Sequence, residues 1–298
     1  MHSRNGLLTA AVAYILWGLF PIYWKLLQDV PPLEILGHRV VWSLAVVIIL
    51  LAVRQNWTWM GRMLSRPAIL RAAALTALLL ISNWFMYIWA NNNGHIVEAS
   101  LGYFITPLVS VLLGLVVLRE RLRPGQWLAI GIAAAGVGYL LLNSGGLLWI
   151  SFGLALTFGF YGLLRKTAHL SSLEGLTVEM GVLFLPALAW LVYLQFTGAG
   201  SFGRSDALTT LLLVGCGLVT AVPLLFFARG AKQVPLSALG VLQYVAPTLQ
   251  FLLGVLVYGE AFTTARLIGF SIIWTALILY TGEGIWQSRR RQPQSGRG

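Results

Sequence analysis

The chain carries the same pattern twice, 140 residues apart, and both copies are hydrophobic throughout. Gly6-Leu7-Leu8 falls on Gly146-Leu147-Leu148, Lys25 on Arg165 and Glu34 on Glu174. Pro107 falls on Pro247, Gly114 on Gly254 and Glu120 on Glu260. One register holds for all these pairs, so the halves read as copies of one unit. A duplicated membrane-spanning unit is the architecture of a secondary transporter, in which a substrate sits between the halves.

The chain is 58% hydrophobic and 10% charged, with a mean hydropathy of +0.81. Soluble domains carry roughly 25% charged residues. Apolar segments of spanning length lie near 6–25, 33–53, 71–90, 96–118, 124–142, 147–165, 177–197, 208–229, 236–257 and 264–284. Each meets the need for about 20 residues to cross ~30 Å of hydrocarbon. Barrel strands would instead alternate over only ~10 residues. The expected fold is an all-α membrane protein of ten transmembrane helices arranged as two inverted five-helix repeats. The expected units are residues 1–143 (spans 1–5), 144–285 (spans 6–10) and a basic tail, 286–298. The N-terminal run is too long for a signal-peptide core and reads as a retained span.

Charge gives an orientation. With the N-terminus in the cytoplasm, sixteen of the twenty Lys and Arg residues fall on the cytoplasmic side. They are Arg4; Arg54, Arg62, Arg66 and Arg71; Arg119, Arg121 and Arg123; Arg165 and Lys166; Arg229 and Lys232; and Arg289, Arg290, Arg291 and Arg297. This is the positive-inside rule, and it accounts for the net charge of +11 without nucleic acid. Arg289-Arg290-Arg291 reads as a stop signal beside anionic lipid. Five spans per half is an odd number, so the second copy enters from the opposite side. The expected location is a bacterial inner membrane, multi-pass, with both termini cytoplasmic.

Charge inside a membrane costs about 2.5–3.5 kcal/mol at a helix centre on insertion scales, so it points to function. Arg39 lies roughly 9 Å into span 2. It either faces a polar cavity or snorkels to the headgroups. Glu34 and His38 stand one turn outward on the same helix, and Lys25 ends span 1. Asn91 lies in the turn between spans 3 and 4, and Glu98 opens span 4. Arg39 pairs with Glu98 or with Glu34, as an outer gate or as a clamp for a substrate carboxylate. At offset 140, Arg39 falls on Glu179, near the start of span 7 with Lys166 and Arg165 in the preceding loop. One half thus carries a buried cation where the other carries a buried anion, which suggests two alternating gates. Glu179 is also a candidate proton site, or a helix-start acid paired with Lys166.

Trp17, Trp84, Tyr87, Trp89 and Tyr103 are candidate cavity walls, and each alone is equally a packing residue. Asn83, an amide within a span, calls for an inward partner. Gln243 and Tyr244 just precede Pro247. Pro247 and Pro107 are expected to kink spans 9 and 4 as hinges, because proline removes a backbone donor; Pro21 sits similarly near the end of span 1. Spans 5 and 10 carry small residues at close-packing spacing (Ala129, Ala133, Gly138; Ala265, Gly269) and read as static helices or a dimer contact.

Several stretches carry a family resemblance: Leu16-Trp17-Gly18 with Pro21 and Lys25; Glu34-Ile35-Leu36-Gly37-His38-Arg39 with Trp42-Ser43; Asn83-Trp84 with Trp89-Ala90 and Asn92; Glu98-Ala99-Ser100-Leu101-Gly102-Tyr103-Phe104; Tyr161-Gly162-Leu163 with Arg165-Lys166; and Gln243-Tyr244 with Pro247-Thr248. Together they resemble the RarD (chloramphenicol-sensitive protein) subfamily of the EamA group in the drug/metabolite transporter superfamily. Thr106 stands where that pattern has Asn. The resemblance implies a bacterial inner-membrane carrier of two EamA units. It implies a central cavity lined by the first four helices of each unit, with the fifth packed peripherally. The superfamily moves amino acids, nucleotide-type metabolites, sugars and drugs, and the subfamily's name concerns a drug phenotype.

No Gly-rich phosphate loop occurs, which leaves ATP-driven pumping unsupported. No His-Glu-x-x-His run or Gly-x-Ser-x-Gly elbow is present, and the single Cys216 forms no metal cluster. No cofactor is expected. The expected function is a secondary active permease or exporter for a small metabolite or drug-like molecule, working by alternating access as a monomer or homodimer in membrane lipid, with a coupled proton as an option. The rival readings are an intramembrane lipid-modifying enzyme and a membrane receptor or scaffold.

Overall fold

The computed structural model describes residues 4–54, 57, 59–61, 67–93, 95–143, 148–258 and 264–290, and the regular structure among them is helical. The helices are α1 (Arg4–Gly18), α2 (Phe20–Lys25), α3 (Pro32–Arg54), α4 (Pro67–Asn92), α5 (Ile96–Val116) and α6 (Pro124–Leu142) in the first half. The second half holds α7 (Leu148–Thr167), α8 (Ser172–Thr197), α9 (Ala207–Gln233), α10 (Leu236–Gln243), α11 (Val245–Leu256) and α12 (Thr264–Arg290). Among the described residues, eight stretches are long and apolar enough to cross a membrane. The other two expected spans are helices whose apolar stretches, Leu101–Val116 and Leu267–Glu283, are shorter. Outward faces carry bare Leu185 and Ile278, each 71% exposed, as lipid contact requires.

The repeat is written into the helix boundaries. The starts Pro32 and Ser172, Pro67 and Ala207, Ile96 and Leu236, and Pro124 and Thr264 each lie 140 residues apart. Different chemistry sets the equivalent starts. In the first half α3, α4 and α6 begin at a proline, whose fixed φ and missing N–H suit a first turn. In the second half Ser171 and Glu174 form a capping box on α8. Asp206 caps α9 by accepting from the Thr209 N–H at 2.7 Å, and Thr209 donors hold its carboxyl below the usual carboxylate range.

The two halves interlock, and the main helix contacts cross between them. α3 packs on α8 and α9, α4 on α7 and α8, α5 on α7 and α10, and α1 on α9 and α11. Exchanging each helix for its repeat mate returns the same set of contacts, which is the signature of a pseudo-two-fold axis. α6 and α12 pack on each other, and α12 also meets α5 through Phe270 against Phe104 and α11 through Trp274, which donates to Thr248. Their small residues permit it: a Cβ on Gly269 would lie 2.4 Å from the Leu140 side chain, and one on Gly136 would lie 3.2 Å from the Gly269 carbonyl. Arg123 and Glu283 add an ion pair of 3.0 Å.

The insertion is antiparallel. One end of the bundle gathers the start of α1 (Gly6 against Gln233 and Val234), the 165–172 turn and the 231–237 turn. The other end gathers Lys25 over the Tyr258 ring, Glu34 on the 201–202 loop, and Trp89 against Trp149 at the start of α7. So α1 and α7, which open the two repeats, begin at opposite ends.

Proline breaks are unequal. α1 and α2 are separated at Leu19, just before Pro21, and α10 and α11 at Tyr244, just before Pro247. α5 runs unbroken through Pro107, so the kink expected there is not a break.

Candidate functional site

Arg39 lies about two turns into α3. Its Nε donates to Thr220 Oγ1 on α9 at 3.1 Å. The guanidinium carbon sits 4.0 Å from the Trp84 ring centroid and 5.3 Å from that of Trp24. Tyr87, Tyr103 and Cys216 lie within electrostatic reach of it. The side chain therefore points into the bundle among α2, α3, α4, α5 and α9 and does not snorkel. Cation–π contact offsets part of the desolvation, by about 2 kcal/mol or more when dry. Tyr87 and Tyr103 meet edge to face at 5.7 Å near Arg39 and remain 36% and 37% exposed.

Glu34 does not pair with Arg39. Its carboxylate accepts from the Ser201 N–H at 2.8 Å and the Phe202 N–H at 3.0 Å, and stands 3.9 Å from His38 Nε2. His38 is fixed in turn by Trp42 Nε1, which donates to its Nδ1 at 3.0 Å, and by the Phe202 ring. These two residues clamp the 201–202 loop to α3. The side chains of Asn91 and Glu98 lie outside what the structure describes, and with them the Arg39–Glu98 alternative.

Glu179, the repeat mate of Arg39, is fully buried. Tyr161 donates its hydroxyl to Glu179 Oε2 at 3.3 Å, and Arg165 Nη1 stands 3.5 Å from Oε1. The partner is Arg165 and not Lys166. Lys166 donates instead to the Val234 and Ala231 carbonyls, while Lys232 donates to those of Leu170 and Ala168, so the two lysines lace the neighbouring turns together. Arg165 reaches inward because position 175 is glycine: a Cβ there would fall 1.7 Å from Nη1. Among the described residues, Arg165 Nε and Glu179 Oε1 have no hydrogen-bond partner, so the pair is incompletely satisfied there.

Between the two charge sites lies an aromatic plug. Trp17, Phe158 and Phe227 stand 5.4–5.6 Å apart by ring centroid, with Tyr14 and Tyr161 against them. Tyr14, Tyr161 and Phe227 are at most 2% exposed. Two rings near Arg39 thus remain partly exposed, whereas those beside Glu179 are closed over.

The remaining expected residues hold the scaffold. Asn83 donates across to the Leu154 carbonyl at 2.9 Å and to Thr157 Oγ1 at 3.0 Å, tying α4 to α7. Gln243 accepts from Ser110 at 3.0 Å, and Tyr244 donates to the Phe104 carbonyl at 3.2 Å, tying α10 and the break after it to α5. Thr106 bonds back to the Gly102 carbonyl at 2.7 Å. Trp89 stacks on His95 at 5.7 Å.

Two connections escaped the sequence reading. Pro21 lacks the N–H that would serve the Trp17 carbonyl, and Gln250 Nε2 donates to that carbonyl at 3.0 Å. Glu120 accepts from the Leu236 and Ser237 N–H groups at 2.6 and 2.9 Å and from Ser237 Oγ at 2.6 Å, capping the α10 N-terminus from across the repeat. A signal existed for the second: Glu120 is a repeat-matched acid just after a matched glycine, Gly114, at which a Cβ would lie 2.8 Å from Glu120 Oε2. Its mate Glu260 lies outside the described residues. Among the described residues no cluster of three or more His, Cys, Asp or Glu side chains is placed to hold a metal.

Comparison with known proteins adds the family. The model of the EamA-like transporter family matches the chain twice, at residues 4–142 and 144–282. The chain is 47% identical to Protein RarD of Streptomyces exfoliatus, over 97% of this chain and 92% of that protein. It is 40% identical to Protein RarD of Escherichia coli, over 97% and 98%. It is 44% identical to an uncharacterized transporter of Pseudomonas aeruginosa, over 99% of both. A crystal structure sharing 21% identity superposes with a TM-score of 0.71 over 94% of this chain and 99% of that one, which supports the fold.

Proposed function

We propose, on the premise that this chain belongs to the EamA-like transporter family and within it to the RarD subfamily, that it is a secondary active carrier working by alternating access. A membrane transporter of the drug/metabolite kind is what that membership means. The carrying observation is the contrast between two repeat-related sites: Arg39 among aromatic rings that remain partly exposed, and Glu179 buried behind rings that are closed over. In a pseudo-symmetric bundle the two ends would exchange these conditions during a cycle.

In this reading the site around Arg39, Trp84, Tyr87 and Tyr103 takes up a small metabolite or drug-like molecule. The plug and the Arg165–Glu179 pair form the closed gate. Reopening needs the buried pair to separate, and protonation of Glu179 would ease that step, so a proton is the proposed coupling ion. The basic end, with Arg119, Arg121, Arg123, Arg165, Lys166 and Lys232, faces the cytoplasm of a bacterial inner membrane. The repeats are assigned to residues 1–143 and 144–285. The carrier acts without enzymatic chemistry.

The test is transport by purified protein in liposomes, with labelled amino acids, nucleosides and chloramphenicol, with and without a pH gradient. Saturable uptake lost in Arg39→Ala and Glu179→Gln is the expected result. Uptake unchanged in both variants would remove the two sites from the mechanism. No saturable uptake by folded protein would remove the carrier assignment.

A further inference from the structure

Glu120 joins the two halves at the basic end of the bundle. Its place on the first half is fixed by its own backbone, whose N–H donates to the Gly114 carbonyl at 3.0 Å and so ties the residue to the last turn of α5. Gly114 leaves room for the carboxylate: a Cβ there would lie 2.8 Å from Glu120 Oε2 and 3.1 Å from the Ser237 nitrogen. From that fixed arm the carboxylate reaches into the second half. It accepts from the Leu236 N–H, the Ser237 N–H and the Ser237 hydroxyl at 2.6, 2.9 and 2.6 Å. Lys166 lies within electrostatic reach of it.

The surface that receives Glu120 is braced as one body. Lys166, near the end of α7, donates to the Ala231 and Val234 carbonyls at the end of α9. Lys232, near the end of α9, donates to the Ala168 and Leu170 carbonyls just past α7. Arg165 Nη2 donates to the Ser172 carbonyl at 2.9 Å and brings in the start of α8. Cations on terminal carbonyls also oppose the helix dipoles. The repeat mates of Lys166 and Lys232 are Leu26 and Asn92, so this lysine lacing belongs to one end of the molecule. From the laced rim α10 runs for eight residues to the break at Tyr244, and Gly240 sets it against the Pro107 carbonyl of α5. One end of α10 is thus held by Glu120 and the other crosses α5 on the pseudo-two-fold axis.

We propose that Glu120 is a latch between the halves. It holds the first half to the laced rim while the basic end is shut, and it lets go of Leu236 and Ser237 when that end opens, α10 swinging with the rim about its crossing with α5. Glu120 is half-buried at the end of the bundle, so water can take the place of each donor as it parts. A hydrogen bond exchanged for one to water changes free energy little, which makes the contact reversible. This rests on the alternating-access reading above and names a bond made and broken once per cycle. A carboxylate that only caps α10 would stay bonded in both states.

The test reads distances at both ends of the full-length protein in liposomes. Spin labels on Arg121→Cys and His169→Cys span the latch, and labels on Asp29→Cys and Ser205→Cys span the opposite end; all four positions are exposed. Each pair is placed in a Cys216→Ala chain and measured by pulsed electron–electron resonance, with the flux assay above run on the same vesicles. Glu120→Gln is expected to shift the ratio of long to short distances across the latch by at least about tenfold, with the distance at the opposite end shortening. Ser237→Ala removes one donor and keeps both amides, so it should shift the ratio the same way by less; if Glu120→Gln does not fold, this variant decides. Unchanged distances would overturn the latch. So would lengthening at the latch with no change at the opposite end, which is local uncapping of α10. Saturable wild-type flux with unmoved distances in the variants would overturn the latch and leave the carrier standing. Coupled distance changes with no wild-type flux would do the reverse.

Discussion

Tyr244 donates its hydroxyl to the backbone carbonyl of Phe104 at 3.2 Å, and Phe104 is the residue that Tyr244 itself replaces in the repeat, 140 positions earlier. Repeat mates touch only where the pseudo-two-fold axis passes between them. The crossing of α5 with the α10–α11 segment is therefore on that axis, and Gly240 allows it: a Cβ there would lie 2.6 Å from the Pro107 carbonyl oxygen. Backbone cannot give way cheaply. Gly240→Ala should lower stability by about 1–3 kcal/mol, and Tyr244→Phe by about 0.5–1.5 kcal/mol. Denaturation in detergent measures both; an unchanged Gly240→Ala would mean the crossing is looser than described.

The Arg165–Glu179 pair should behave as a buried pair with a shared fate. Arg165→Leu alone leaves a carboxylate in an apolar interior and should destabilise by about 3–5 kcal/mol. Arg165→Leu with Glu179→Leu should recover most of that loss. A double-mutant cycle on melting would read the coupling, and additive effects would deny the pair. Under the gating reading, the stable double variant should still fail in transport.

Gly175→Ala tests the same pair from its neighbour. The new Cβ would stand where Arg165 Nη1 lies, 1.7 Å away, so the guanidinium must leave. The expected phenotype is that of Arg165→Leu, reduced in size. A Gly175→Ala protein with wild-type stability and flux would show that Arg165 has another route.

Gln250 and Pro21 should be coupled across the membrane core. Gln250→Leu strips the Trp17 carbonyl of its donor, an expected loss of about 1 kcal/mol. In a Pro21→Ala background a backbone N–H returns at position 21 and can serve that carbonyl. The loss on Gln250→Leu should then shrink. Equal losses in the two backgrounds would assign Gln250 some other role.

Glu120→Ala should uncap α10 and cost about 0.5–2 kcal/mol. Arg119, just before it, is held at φ 53, a left-handed conformation unusual for arginine. The next residue, Glu120, is anchored on the Leu236 and Ser237 N–H groups. Arg119→Gly should thus be tolerated or mildly stabilising, and a clear loss in that variant would contradict this account.

The repeat, the helical character and the family were legible because each rests on local pattern. Apolar runs of spanning length admit little besides helices in lipid, where every backbone group needs an internal partner. The register survived into the helix starts even where proline in one half is replaced by a Ser or Asp cap in the other. Arg39 and Glu179 stood out as ionisable residues inside apolar runs, a signal that needs no fold.

Partnership was not legible. Glu34, one turn from Arg39, offered itself as a counter-ion and was taken by a loop far along the chain; Lys166 offered itself to Glu179, and Arg165, one residue earlier, took the place. A shift of one residue turns a helical side chain by about 100°, so neighbours in sequence face different helices, and only the crossing angles decide which. The Gln250–Trp17 and Glu120–Ser237 contacts join segments of opposite halves for the same reason. The sequence by itself determined that two inverted copies lie in a membrane, with Arg39 and Glu179 as repeat-related ionisable residues of opposite sign inside it. Tertiary packing decided that Glu179 is paired with Arg165 behind aromatic rings while Arg39 lies against Trp84 and Thr220, because burial and partnership are properties of the assembled interface between the copies.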